Sequence, residues 1–194
     1  MLRKSKNNNL RPLGTVRIIG GQWRGRKLPV HTSDGLRPTG DRIRETLFNW
    51  LSAELYDARC LDLFAGSGAL GFEALSNGAS HVTMLELEPT VANQLATNKQ
   101  LLNSDNANIE NTDSLKWLCQ YQGDAFKIVF VDPPFASQLW DQTLTALVNS
   151  TAVSAASYIY IEHPKNHAIN LPTGWQWHRQ KIAGDTAFGL AIID

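Results

Sequence analysis

Cysteine is scarce. Only Cys60 and Cys119 occur, both in apolar stretches, which predicts buried free thiols in a reducing cytosol rather than disulfides or a zinc site. No apolar run approaches the ~18 residues needed to cross a bilayer. Met1–Arg11 is polar and basic and lacks the apolar stretch of a secretory signal. The histidines at 31, 81, 163, 167 and 178 show no metal-ligand spacing, so no metal is expected and they read as surface or core residues. An excess of either charge is missing too, because eighteen Lys and Arg balance eighteen Asp and Glu. The total is therefore silent about partners, but the distribution is not. Residues 1–44 hold eleven Lys or Arg against Asp34 and Asp41, a net of +9, and residues 45–194 carry −9. A basic front end on a neutral chain predicts a polyanion docking at one place.

With 43% hydrophobic and 19% charged residues over 194 positions, the chain has the balance of one globular domain with a small appendage. Residues 1–13 read as a disordered basic arm. Thr15–Ile19 and Trp23–Val30 are extended runs around Gly20-Gly21, which predicts a hairpin. Residues 31–38 form a loop. A helix is expected from Thr39, where Ile43, Leu47, Leu51 and Leu55 recur at helical spacing and no Gly or Pro interrupts residues 41–57.

Beyond it the chain alternates. Cys60–Phe64, His81–Glu86, Ala107–Asn111, Lys127–Val131 and Tyr158–Glu162 read as strands. Helices are expected through about Asn77, from Glu88-Pro89, over Asp113–Gln122 and over Leu139–Asn149. Such alternation implies βαβ units and a parallel sheet. Trp175–Ile182 and Phe188–Ile193 lie too close together for a helix between them, so they form an antiparallel hairpin. Trp175 and Trp177 alternate along it and read as packing residues.

Three motifs carry chemistry. Gly66, Gly68 and Gly71 fit G-x-G-x-x-G between a strand and a helix, where a ligand can approach the backbone. Glu86 ends the following strand, placed to accept from both hydroxyls of a ribose. This pair specifies an adenosine-type ligand, and both nicotinamide dinucleotides and S-adenosylmethionine qualify. Asp62 favours the second. It lies inside the strand, where it can face a cationic amino-acid end, and it needs a partner because an unpaired buried carboxylate is costly; a backbone-bonded or salt-bridged Asp62 is the structural alternative.

The third motif is Asp132-Pro133-Pro134-Phe135, directly after Lys127–Val131. Open α/β sheets bind ligands at the carboxyl ends of their strands, so this tetrapeptide should share the crevice of Gly66 and Gly68. The prolines stiffen the loop and leave carbonyl acceptors without donors. A carboxylate and a rigid carbonyl suit the two N–H groups of an exocyclic amine. Phe135 would stack on the base. Neither a metal nor a covalent nucleophile is required, since alignment with an activated methyl supplies much of the catalysis.

Taken together, Phe64-Ala65-Gly66-Ser67-Gly68, Glu86 and Asp132-Pro133-Pro134-Phe135 resemble the Rossmann-like methyltransferases that modify exocyclic nitrogens. More narrowly, Arg17-Ile18-Ile19-Gly20-Gly21, Trp23-Arg24-Gly25-Arg26, Arg37-Pro38-Thr39, Asp41-Arg42, Arg44-Glu45 and Leu47-Phe48 resemble the bacterial 16S rRNA guanine-N2 methyltransferase family RsmD. The resemblance is close over residues 15–140 and is one of sheet pattern beyond. It implies an α/β fold, a Rossmann-like seven-stranded mostly parallel sheet with an antiparallel last strand and an N-terminal β-hairpin extension. The expected organisation is a basic arm (1–13), an RNA-binding hairpin (14–38) and an S-adenosylmethionine-dependent methyltransferase domain (39–194).

The resemblance further implies a cytoplasmic enzyme acting on 16S rRNA, within an assembling small ribosomal subunit. Asp132, Pro133, Pro134 and Phe135 hold the guanine. S-adenosylmethionine is held by Asp62, Phe64, Ala65, Gly66, Gly68, Glu86, Leu87, Asp113, Ser114 and Thr39. RNA is met by Arg17, Trp23, Arg24, Arg26, Lys27 and Arg37. One of Arg37, Arg42 and Arg44 is expected to be structural, paired with Glu45 or Asp62. Gly40 departs from the polar residue of relatives, and Glu162-His163-Pro164 matches no recognised motif. The competing readings are an adenine-N6 or other amine methyltransferase, an RNA-binding assembly factor with a vestigial site, and a nicotinamide oxidoreductase. Asp62 and the intact tetrapeptide stand against the last two.

Overall fold

In the computed structural model, residues 14–30 and 40–194 are described. The basic arm, the loop at 31–38, Arg37 and Thr39 lie outside the described residues. Parallel strands β3 (Arg59–Asp62), β4 (His81–Glu86), β5 (Ala107–Asn111), β6 (Ile128–Val131) and β7 (Tyr158–Pro164) alternate with helices. Strands β8 (Trp175–Ala183) and β9 (Thr186–Ile193) close the chain as an antiparallel hairpin, turning at Gly184. The seven-stranded sheet has the order β5-β4-β3-β6-β7-β9-β8. β9 inserts between β7 and β8 and runs antiparallel to both. The alternating pattern and the reversed last strand are thus as the sequence implies.

Helices cover both faces. α1 (Asp41–Trp50), α2 (Ala69–Ser76) and α3 (Pro89–Leu102) come first along the chain, followed by α4 (Ser114–Gln120) and α5 (Trp140–Val148). One apolar cluster joins α1 and α2 to Cys60, Met84, Phe130 and Tyr160 on one sheet face, with Phe48 6.2 Å from Phe130 between ring centroids. The other joins α4 and α5 to Leu61, Leu85, Val129, Val131 and Ile161. Trp175 and Trp177 pack against this second cluster.

Several local expectations are corrected. α1 stops at Trp50 although no Gly or Pro interrupts the sequence to residue 57. Glu54 N–H and Leu55 N–H both donate to the Leu51 carbonyl, and Asp57 adopts φ 58°. This irregular turn still buries Leu51 and Leu55, so the four-residue spacing reports burial beyond the helix itself. Cys119 is exposed rather than buried, while Cys60 is buried.

The segment from Trp23 to Val30 is not one strand. A 3-10 turn occupies Gly21–Trp23, and only Lys27–Val30 (β2) pairs with Gly14–Arg17 (β1). Positive φ at Gly21 and Gly25 breaks the run. Gly20 and Gly21 also have a task beyond turning. A Cβ on Gly21 would lie 1.8 Å from the Ser76 carbonyl oxygen, so the glycines let this loop press against the end of α2. Val16, Ile18, Leu28 and Val30 accordingly sit in the same core cluster as α1 and α2.

Candidate active site

Register assembles the site. Asp62 pairs with Met84 and with Phe130, and Phe130 pairs with Tyr160. Side chains alternate along strands, so two residues further on Glu86 in β4 and Glu162 in β7 follow on the same face at the carboxyl edge, and Asp132 directly follows the end of β6. This is the face that α1 and α2 cover.

The glycine turn sits at the end of β3. Gly66 and Gly68 have φ of 50° and 76°, a conformation that glycine adopts without a Cβ penalty. Asp62 is 1% exposed and accepts from Gly71 N–H at 3.2 Å. Burial pushes its pKa up to about 7, against the pull of the Phe64 and Gly71 amides, and Glu86 adds to the rise. Asp62 therefore has the backbone partners its burial demands and braces the turn from beneath. A Cβ on Gly71 would lie 2.6 Å from Met84 Sδ, so the third glycine is required by packing on β4.

Glu86 is half-buried and held from two sides. Gly66 N–H donates to Oε2 at 2.9 Å and Glu88 N–H to Oε1 at 2.8 Å. The carboxylate is thereby fixed against the glycine turn, with Phe64 and Ala65 in the intervening chain; Ala65 N–H donates to the Leu85 carbonyl at 2.9 Å. Leu87 is 68% exposed beside it, an apolar surface of the kind a purine covers. Asp113 caps α4, accepting from Lys116 N–H at 2.9 Å. The Ser114 hydroxyl donates to the Leu63 carbonyl. Ser114 thereby ties the start of α4 to the end of β3, and Asp113 closes the first turn of α4.

Across the edge, Asp132 is half-buried, Pro133 buried and Pro134 exposed, while Phe135 is 39% exposed. The Pro134 carbonyl accepts from Ser137 N–H at 2.9 Å and from its hydroxyl at 2.6 Å. Among the described residues no hydrogen bond ends on the Pro133 carbonyl. Phe135 leans on Trp140 at 5.9 Å between ring centroids. The tetrapeptide is thus braced at its far end and presents a carboxylate, a carbonyl and an aromatic face.

The basic hairpin divides by role. Arg24 and Lys27 are exposed. Arg17 is exposed but ion-paired to Asp41 at 2.9 Å. Arg26 donates to the Leu101 carbonyl at 2.6 Å, and Trp23 is half-buried against the core with its N–H on Ser76 Oγ. Arg44 is the structural arginine, but its partners are Asp41 at 2.7 Å and Glu73 at 3.0 Å, not Glu45 or Asp62. Burial resists ionisation of Asp41, yet Arg17 and Arg44 outweigh it and hold its carboxyl below the usual range.

Two buried acids escape the motif search. Buried Glu73 accepts from Ile19 N–H, Gly20 N–H, Arg44 and Asn77, and so clamps the hairpin to α2. Its signal is a lone charge in the otherwise uncharged helix ALGFEALS. Glu162 is 6% exposed and accepts from the Tyr160 hydroxyl at 2.6 Å. Its signal is an acid after an apolar strand, as with Asp132.

Comparison with known proteins supports the same assignment. The family model described as Conserved hypothetical protein 95 matches residues 16–192. The likeness therefore runs through the C-terminal hairpin and is not limited to the first 140 residues. Ribosomal RNA small subunit methyltransferase D of Escherichia coli (strain K12) is 48% identical over 178 residues, covering 91% of this chain and 89% of that protein. Its counterpart in Haemophilus influenzae is 48% identical over 180 residues, covering 91% and 93%. The solved structure of Escherichia coli yhhF superposes with a TM-score of 0.86 at 44% identity, covering 93% of this chain and 99% of that one. By sequence and by fold, the chain belongs to the ribosomal RNA small subunit methyltransferase D family, and it is a methyltransferase.

Proposed function

We propose that the protein transfers a methyl group from S-adenosylmethionine to the exocyclic N2 of a guanine in small-subunit ribosomal RNA. The observation that carries this reading is that Glu86 ends β4 and Asp132 directly follows β6, the two strands that flank β3 and its glycine turn. The names of the relatives supply the RNA class. The donor set fits the cofactor. A fixed carboxylate at Glu86, exposed Leu87 and the glycine turn suit a ribose, a purine face and close approach to the backbone. Asp62 shapes this site by holding the Phe64 and Gly71 amides, and Asp113 and Ser114 set the position of its floor.

When bound, S-adenosylmethionine supplies an activated methyl on a sulfonium. The chain's own residues do the rest. Asp132 and the Pro133 carbonyl accept the two N–H groups of the guanine amine. Held this way, the nitrogen lone pair leaves conjugation with the ring and points out of its plane. Phe135 stacks on the base and fixes that plane. The half-buried Asp132 carboxylate also offsets the positive charge that develops on nitrogen.

The target guanine must leave its helix to reach this edge. Arg24 and Lys27, with Arg17 and Arg26 nearby, meet phosphates. The rigid docking of the hairpin through Glu73 sets their distance from the crevice. A small-subunit particle, rather than a short RNA, is the expected substrate, and the cytoplasm its location.

Labelled methyl transfer to unmodified small-subunit particles tests this. N2-methylguanosine is the expected product nucleoside. N6-methyladenosine, or no transfer with cofactor bound, would replace the reading with an adenine methyltransferase or an assembly factor.

A further inference from the structure

We propose that Glu162 is the residue that makes the site select guanine, by accepting the ring N1–H while Asp132 and Pro133 hold the neighbouring N2 amine. The inference rests on the guanine-N2 reading and deepens it.

The placement comes from the sheet. β6 leaves after Val131, which pairs with Ile161. β7 continues to Pro164, paired beyond that point with β9 through Glu162↔Phe188, His163↔Ala187 and Pro164↔Thr186. Glu162 therefore stands on β7 just beyond Ile161, whose β6 partner Val131 directly precedes Asp132. Adjacent strands lie about 4.8 Å apart, a spacing that suits acceptors for two neighbouring N–H groups on one base edge. Both carboxylates act on Tyr160. Its pKa is raised by burial first, then by the charges of Glu162 and Asp132.

The frame around Glu162 is stiff. The Tyr160 hydroxyl donates to Oε2 at 2.6 Å, and Tyr160 is itself fully buried. The Glu162 carbonyl accepts from Trp140 Nε1 at 2.8 Å. Trp140 in turn supports Phe135 at 5.9 Å. The base-stacking ring and the Glu162 backbone thus share one support. A carboxylate accepts about four hydrogen bonds, and the Tyr160 hydroxyl is one partner that orients this one.

Chemistry gives the selectivity. Guanine presents N1–H beside its amine. Adenine and cytosine present a ring acceptor beside theirs, and that lone pair would face the Glu162 carboxylate. Flipped bases are read through hydrogen bonds to this edge, and a site built for a donor rejects a base that lacks it.

2-Aminopurine probes the contact, because it keeps the N2 amine but has an acceptor at N1; it also lacks O6, so the comparison between wild type and the Glu162 variant carries the test. Small-subunit particles are reconstituted with rRNA carrying guanosine or 2-aminopurine riboside at the accepted position, and kcat/KM is measured for each. The wild-type enzyme should favour guanine by about 10- to 150-fold, the worth of one hydrogen bond to a charged group. In Glu162→Gln the amide can donate to the 2-aminopurine N1, so the preference should collapse or reverse while S-adenosylmethionine affinity holds. Tyr160→Phe, which frees the carboxylate to rotate, should shrink the preference without reversing it.

A merely structural Glu162 would lower both rates in proportion, and that result overturns the proposal. So does a wild-type enzyme that accepts both bases equally, an outcome independent of how the variants fold. A wild-type enzyme inactive on guanine N2 overturns the parent reading instead, and with it this one.

Discussion

Replacing Asp62 with asparagine removes one titration from beneath the glycine turn. Burial raises the Asp62 pKa from 3.8 to about 7, so the native protein keeps this proton over a range in which the unfolded chain has already released it. Native Asp62 then binds more protons than its unfolded counterpart, and stability falls as pH rises from about 4 to about 7. At about 1.4 kcal/mol per unit, the fall between about pH 5 and about pH 8 amounts to about 3 kcal/mol. Asparagine keeps an acceptor oxygen for the Gly71 N–H that Asp62 engages at 3.2 Å, but it does not titrate. Urea unfolding of both proteins across this range should show Asp62→Asn gaining on the wild type as pH increases, by that margin at the upper end. Contributions from groups that do not interact with Asp62 cancel in the difference. Parallel pH profiles would refute a buried, proton-retaining Asp62.

Glu86→Ala should weaken S-adenosylmethionine binding about 10- to 150-fold, as charge-assisted bonds to ribose are lost; unchanged affinity by calorimetry would put the ribose elsewhere. Glu73→Ala removes the buried one of the two Arg44 carboxylate partners and should cost about 3–5 kcal/mol by urea unfolding, with hairpin cleavage by protease rising in step. A loss below about 1 kcal/mol would deny the clamp its role. Arg24→Ala with Lys27→Ala should flatten the salt dependence of particle binding by about 1.4–1.8 units while cofactor affinity stays constant. An unchanged slope would make these exposed cations irrelevant to RNA.

What the sequence made legible follows from how local the causes are. The glycine turn, the start of α3 at Pro89 and the strand before Asp132 depend on neighbours in the chain, and each stands where its pattern predicts. Long-range causes stayed hidden. Arg44 could be read as structural, but not its partner Glu73, because that contact spans 29 residues and depends on how the hairpin lies against α2. Gly20-Gly21 read as turn residues, whereas the approach to Ser76 and Asn77 is what excludes a side chain there. Trp23 looked like a stacking platform and is half occupied by packing. Glu162 carried no motif, since its meaning comes from lying one strand away from Asp132, a relation that only the sheet order β6-β7 creates.

The central claim is that Asp132 orients an amine at the carboxyl edge of β6. Its most direct test measures Asp132→Ala for three things at once: circular dichroism, S-adenosylmethionine affinity and methyl transfer to guanine N2 in small-subunit particles. An intact fold and near-normal cofactor affinity are expected, with transfer reduced by about 100-fold or more, the scale of losing one preorganised charge-stabilising group. Transfer at close to the wild-type rate by a folded Asp132→Ala protein would contradict that claim.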